Sequence, residues 1–124
     1  MTESQSLVSV VDDDESVRES LPHLLRKFGF AAEAFASAEE FLASEFVGQT
    51  RCLILDIAMP GMSGPALQME LLRRHQAIPI VFITAHGDET VRPRVLEAGA
   101  VECLFKPFSA TALRAAVDTA LRVA

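Results

Sequence analysis

"CLILD", residues 52–56, is apolar at four consecutive positions and then closes on a carboxylate. A strand with one solvated face alternates apolar and polar residues, so a run without alternation reads as a central strand covered on both faces. Four further short apolar runs flank it, "LVSVV" (7–11), "FAAEAF" (30–35), "PIVFIT" (79–84) and "VECLF" (101–105), and longer amphipathic stretches separate them. That rhythm predicts an α/β chain: a parallel five-stranded sheet with helices on both faces.

The helices are placed by periodicity and end signals. Val17, Leu21, Leu24, Leu25 and Phe28 recur at helical spacing after the first strand, and Gly29 is suited to end that helix. Pro22 lies inside it and removes one backbone hydrogen bond. Ser37-Ala38-Glu39-Glu40 is a capping-box pattern for a short second helix. Pro65 suits the first position of a third helix that reaches about His75. Ser109 can cap a final helix through Arg122, whose apolar face comprises Ala112, Leu113, Ala116, Val117, Ala120 and Leu121. The fourth helix falls within 88–98, and Pro93 predicts that it starts late or is distorted. With 124 residues there is material for one core, so the expected organisation is a polar tail at 1–6 and one domain at 7–124.

Composition narrows the function. A net charge of -6 repels a phosphate backbone, and no nucleic-acid binding by this segment is expected. The amino terminus "MTESQS" is polar and no apolar run approaches the roughly 18 residues of a membrane span, so no membrane association is expected. Cys52 and Cys103 lie singly in apolar runs, without zinc-site or thioredoxin-type spacing. They read as small core residues in a reducing, cytoplasmic setting.

In an open parallel sheet, ligands bind beyond the carboxyl ends of the strands, where strand order reverses. Asp12 and Asp13 follow the first strand, Asp56 ends the third, Thr84 ends the fourth, and Lys106 lies one residue past the fifth. If the first and third strands adjoin at the crossover, three carboxylates meet beside a hydroxyl and an ammonium. Such a cluster is costly without a cation, and an all-oxygen donor set favours Mg²⁺. Asp14 suits the amino terminus of the first helix. Residues 12–14 alone fit an acidic helix cap equally well; Asp56 at the end of "CLIL" is what capping does not explain.

"VVDDDES" (10–16), "LILDIAMPGMSG" (53–64), "VFITAHGD" (81–88) and "EAGAVECLFKPF" (97–108), with their spacings, resemble the receiver domain of two-component response regulators, most closely the FixJ-like type. The resemblance spans essentially the whole chain and implies a flavodoxin-like doubly wound sheet of order 2-1-3-4-5 with five helices. It further implies a signalling phosphoacceptor rather than an enzyme, in which Asp56 accepts a phosphoryl group from a sensor histidine kinase. Mg²⁺, or Mn²⁺ in its place, would be bound by Asp13 and Asp56, with Asp12 ordering water and the Ala58 carbonyl supplying a backbone ligand. Lys106 would pair with phosphoryl oxygens and Thr84 would swing to bond another. A cis Lys106-Pro107 peptide is typical of the family. The FixJ-like type also implies a carboxy-terminal helix-turn-helix output domain outside this chain and a phosphorylation-dependent homodimer.

One position departs from that pattern. Receivers commonly carry Tyr or Phe three residues before the Lys, and this chain has Cys103. A thiol is too small to couple to Thr84 as a ring does, so the expected switch is the loop after Thr84 together with the Pro93-containing helix. His86 lies at the expected pocket mouth, and Gly61, Gly64 and Gly87 read as loop residues. Two competing functions remain at this level. One is a Mg²⁺-dependent phosphohydrolase of the haloacid-dehalogenase type, which carries D-x-D where this chain has Ala58. The other is a non-phosphorylated pseudo-receiver that only binds partners.

Overall fold

The apolar run at 52–56 forms most of strand β3 (Thr50–Asp56), in which Cys52, Leu53, Ile54 and Leu55 are all fully buried. The pleat sends Cys52 and Ile54 into one layer and Leu53 and Leu55 into the other, which is why the run shows no alternation. The chain is described here from a computed structural model, which covers residues 5–85 and 90–123. Around β3 lie β1 (Leu7–Val11), β2 (Ala31–Phe35), β4 (Ile80–Thr84) and β5 (Glu102–Phe105). All pairings are parallel, and the described sheet runs β2-β1-β3-β4-β5, the order implied by the resemblance. Helices α1 (Glu15–Lys27) and α5 (Ala110–Val123) cover one face through Leu21, Leu25, Leu113 and Val117. Helices α2 (Ala38–Leu42), α3 (Gly64–Arg73) and α4 (Val91–Glu97) cover the other through Phe41, Leu67, Leu71 and Val95. No described helix is long and apolar enough to cross a membrane.

The local signals account for most element ends. Asp14 is the α1 N-cap, its side chain accepting from the Ser16 N–H, and Ser37 caps α2 by accepting from Glu40 N–H. Glu40 reaches back to the Ala36 N–H rather than to that of Ser37, so the box closes one residue early. Ser109 Oγ accepts from Ala112 N–H at the start of α5. Pro22 is buried within a helix that continues to Lys27. Several boundaries differ from the sequence reading by one or two residues: β2 begins at Ala31 rather than Phe30, β3 at Thr50 rather than Cys52 and β4 at Ile80 rather than Pro79, while α5 runs to Val123. Ser63, accepting from Ala66 N–H, caps α3, so the helix starts at Gly64 with Pro65 second, and it ends at Arg73 rather than about His75. β5 begins at Glu102 instead of Val101. Pro93 is the third residue of α4 as described, where its missing N–H has no carbonyl to lose, and so it sits in the first turn without breaking the helix.

His75 follows α3 with φ 59, the left-handed conformation, while its N–H donates to Leu72 O and the Gln76 N–H to Leu71 O. Gly29 and Gly99 take the same place after α1 and α4. A side chain in this conformation costs roughly 1 kcal/mol. His75→Gly is therefore expected to raise stability by about 0.5–1 kcal/mol, read as a higher urea midpoint at unchanged slope.

Candidate functional site

The strand register brings the carboxyl ends level. Val11 pairs with Leu55, Asp56 with Ile83, and Thr84 with Phe105, so the residues that follow emerge along one edge. The ladder continues one residue past the strands: Asp12 N–H donates to Phe35 O (3.1 Å), Ile57 N–H to Ile83 O (3.2 Å) and Lys106 N–H to Thr84 O (2.7 Å). At that edge, beside the β1/β3 crossover, opens a cavity of about 560 Å³ lined by Asp12, Asp13, Asp56, Ala58, Thr84 and Lys106, with Asp14, Ile57, Ala85 and Val91 completing the wall. All six site residues expected near the metal and phosphoryl group are thus brought together. The Lys106-Pro107 peptide is cis.

Asp12 is fully buried and its polar atoms are engaged throughout. Oδ2 accepts from Lys106 Nζ at 3.1 Å and Oδ1 from Asp14 N–H at 2.9 Å, while the carbonyl accepts from Arg18 Nη1 at 3.1 Å. Such an Asp can orient a neighbour at little cost but gives up a bond to move. Asp13 is exposed, and Asp56 is only 7% exposed, with Oδ1 4.0 Å from Lys106 Nζ. Burial raises the Asp56 carboxyl from the ordinary 3.8 to about 6, Asp12 and Asp13 push it the same way, and Lys106 opposes them. Asp14 turns aside: its carboxylate accepts from the Ser16 N–H and hydroxyl, which hold it below its usual range.

Carboxylate oxygens of Asp12, Asp13 and Asp56 lie within 4.8 Å of one another. Three carboxylates face a single described ammonium, so negative charge is left over, and it adds to the burial that raises the Asp56 carboxyl. A small divalent cation with oxygen preference supplies the missing charge, and the donor set therefore fits Mg²⁺ or Mn²⁺.

Cys103 and Pro93 do not line this cavity. Cys103 is 3% exposed and packs in the same layer as Phe82 and Val95, and burial pushes its thiol up. Pro93 is exposed in the first turn of α4, whose first residue, Val91, reaches the cavity wall. His86 and Gly87 lie outside the described residues, as does the stretch at 88–89 assigned from sequence to the fourth helix.

Three contributors were not assigned from sequence. Arg18 clamps the Asp12 carbonyl, Glu39 accepts from the Met62 N–H at 3.0 Å, and Gly64 lies against Asp56. A Cβ on Gly64 would fall 2.3 Å from the Asp56 carbonyl oxygen and 3.0 Å from Phe82 Cε1, so the glycine makes room at the start of α3 rather than shaping a loop. Its position between Ser63 and Pro65 was the available signal, and turn chemistry explained that equally well.

The fold and edge pocket define a doubly wound α/β protein with an acidic, cation-type site at its switch point. The family model described as the response regulator receiver domain matches residues 8–118. Nodulation protein W of Bradyrhizobium diazoefficiens is 47% identical over 105 residues, which are 85% of this chain and 46% of that protein. Transcriptional regulatory protein FixJ of Azorhizobium caulinodans is 39% identical over 114 residues, 92% of this chain and 54% of that protein. Among solved structures, response regulator StyR superposes with a TM-score of 0.89 at 49% identity, covering 97% of this chain and 61% of StyR. The chain belongs to the response regulator receiver family of two-component systems. It spans about half the length of the curated relatives it matches.

Proposed function

We propose that Asp56 is the phosphoacceptor of this receiver and takes its phosphoryl group from a phosphohistidine of a sensor kinase. The observation that carries this reading is the placement of Asp56 at the end of β3, with oxygens of Asp12 and Asp13 within 4.8 Å and Lys106 Nζ at 4.0 Å. A carboxylate oxygen of Asp56 forms the new O–P bond as the N–P bond of the donor breaks, and the imidazole takes up a proton. Little covalent work is asked of the protein, so position and charge govern the rate. Lys106, already between Asp12 and Asp56, meets the transferred oxygens; Thr84, half-buried in the same wall, hydrogen-bonds another. Asp13 and Asp56, with the Ala58 carbonyl, would hold Mg²⁺ or Mn²⁺, and Asp12 would orient its water. Such a cation supplies the charge that lets an anionic phosphoryl group approach an anionic nucleophile.

The product carries about -1.5 to -2 more charge. Its contacts with Thr84 and Lys106 favour one arrangement of the segment leading to Val91, and α4, with Pro93 in its first turn, carries that change outward. Cys103 fills the β5 position without a ring to move. The domain runs from 7 to 124, works in the cytoplasm as a signalling module without turnover of a substrate, and controls a helix-turn-helix output domain through a phosphorylation-dependent homodimer. The FixJ-like motifs support this, and so does a net charge of -6, which leaves DNA contact to another domain.

Incubation with acetyl phosphate and Mg²⁺, followed by intact-mass measurement, tests the assignment. One labile phosphoryl group is expected on the wild type and none on Asp56→Asn. Steady release of phosphate from a phosphoester would indicate the hydrolase instead. The absence of any Mg²⁺-dependent adduct would leave a pseudo-receiver.

A further inference from the structure

We propose that Glu39, on α2, is a positioning residue for the cation site, acting through the loop between β3 and α3. That loop, residues 57–63, carries Ala58 and is closed at its base by the Gly64 N–H donating to Ile57 O at 3.0 Å. Met59 anchors it in the core. Beyond Met59 the chain turns at Gly61, with φ 75, and the next N–H, that of Met62, donates to Glu39 Oε2 at 3.0 Å. A Cβ on Gly61 would lie 2.8 Å from that same carboxylate oxygen, so the glycine leaves the space the carboxylate occupies.

The contact is not a by-product of capping or of ion pairing. Ser37 and Glu40 already satisfy the start of α2, and among the described residues no cation lies within ion-pair distance of Glu39. An exposed acid thus commits its side chain to a main-chain amide 23 residues away, four residues past Ala58. The hydrogen bond from this peptide N–H to the Glu39 side-chain oxygen fixes the outer arm of the loop, and with Met59 buried that also fixes the carbonyl at 58. The proposal rests on the cation reading above and adds that α2 sets the affinity of the site.

Mg²⁺ titration calorimetry on wild type, Glu39→Ala and Glu39→Gln, paired with amide exchange at Met62 in the metal-free protein, tests it. Glu39→Ala is expected to weaken Mg²⁺ binding about tenfold and speed exchange at Met62, whereas Glu39→Gln, which keeps an acceptor oxygen, stays within about threefold of wild type. Should Glu39→Ala not fold, Glu39→Asp, whose shortened chain withdraws the acceptor, poses the same comparison against Glu39→Gln. Wild-type affinity in Glu39→Ala or Glu39→Asp overturns the proposal. Equal weakening in Glu39→Gln overturns it too, because charge rather than the hydrogen bond would then be at work. A wild-type domain that takes up no Mg²⁺ removes the cation reading itself and this inference with it.

Discussion

Gly64→Ala is expected to lower stability by about 3 kcal/mol and to slow phosphorylation of Asp56. The added methyl would sit 2.3 Å from the Asp56 carbonyl oxygen and 3.1 Å from its carbonyl carbon. Neither is the far end of a flexible side chain, and the Phe82 ring, 3.0 Å away, is fully buried. Relief therefore requires α3 to lift from the sheet or the end of β3 to shift, and the second moves the Asp56 carboxylate, the proposed nucleophile. Interiors packed at crystal density do not absorb such a step locally. Urea unfolding reports the first effect and the rate of adduct formation with acetyl phosphate the second. A variant with wild-type midpoint and rate would show that the two segments part freely.

Acidification of the metal-free domain from pH 7 to pH 5 is expected to stabilise it through Asp56. Its carboxyl rises from 3.8 to about 6 on folding, so between those values the folded state binds more protons than the unfolded state. Stability from this group is then fully present below the ordinary pKa and is lost as pH climbs through about 6. The size is on the order of 2 kcal/mol. Glu70 works in the opposite sense: the side chains of Arg73 and Arg74 hold it at about 2, so its contribution fades only as pH falls below its ordinary 4.5. The two windows scarcely overlap. Asp56→Asn is expected to flatten the profile between pH 5 and 7 and to be more stable than wild type at neutral pH without metal. Mg²⁺ at about 100 times its dissociation constant restores roughly 2.7 kcal/mol to wild type. Melting curves across pH, with and without Mg²⁺, read all of this. A wild-type profile that matches Asp56→Asn would remove the burial and like-charge cost at Asp56 on which the prediction stands.

The strands were legible because each is a short apolar run ending at a polar residue, and the fully apolar "CLIL" forces cover on both faces. Once the sheet is parallel, the residues after those runs must share an edge, which is how Asp12, Asp13, Asp56, Thr84 and Lys106 could be gathered from distant places. Strand order was not in the periodicity, since any order satisfies it; the motif resemblance supplied it. Helix ends were legible where a cap has a strong type, as at Asp14, Ser37 and Ser109. At α3 the end was misplaced because His75 occupies a position for which Gly is the usual signal. Arg18 and Glu39 stayed hidden for a different reason. Both act on main-chain atoms, and a side chain bonded to a peptide group leaves no complementary residue type to find.

The hydrogen-bond ladder that runs one step past β1, β3 and β5 fastens Asp12, Asp56 and Lys106 to the sheet backbone itself, not to the outer surfaces of the helices. The place of the pocket is thereby set by the sheet rather than by the exposed faces of the helices. Substitutions on the solvent side of α5, and on that of α1 apart from Arg18, can therefore accumulate while Asp12, Asp56 and Lys106 keep their places at the sheet edge.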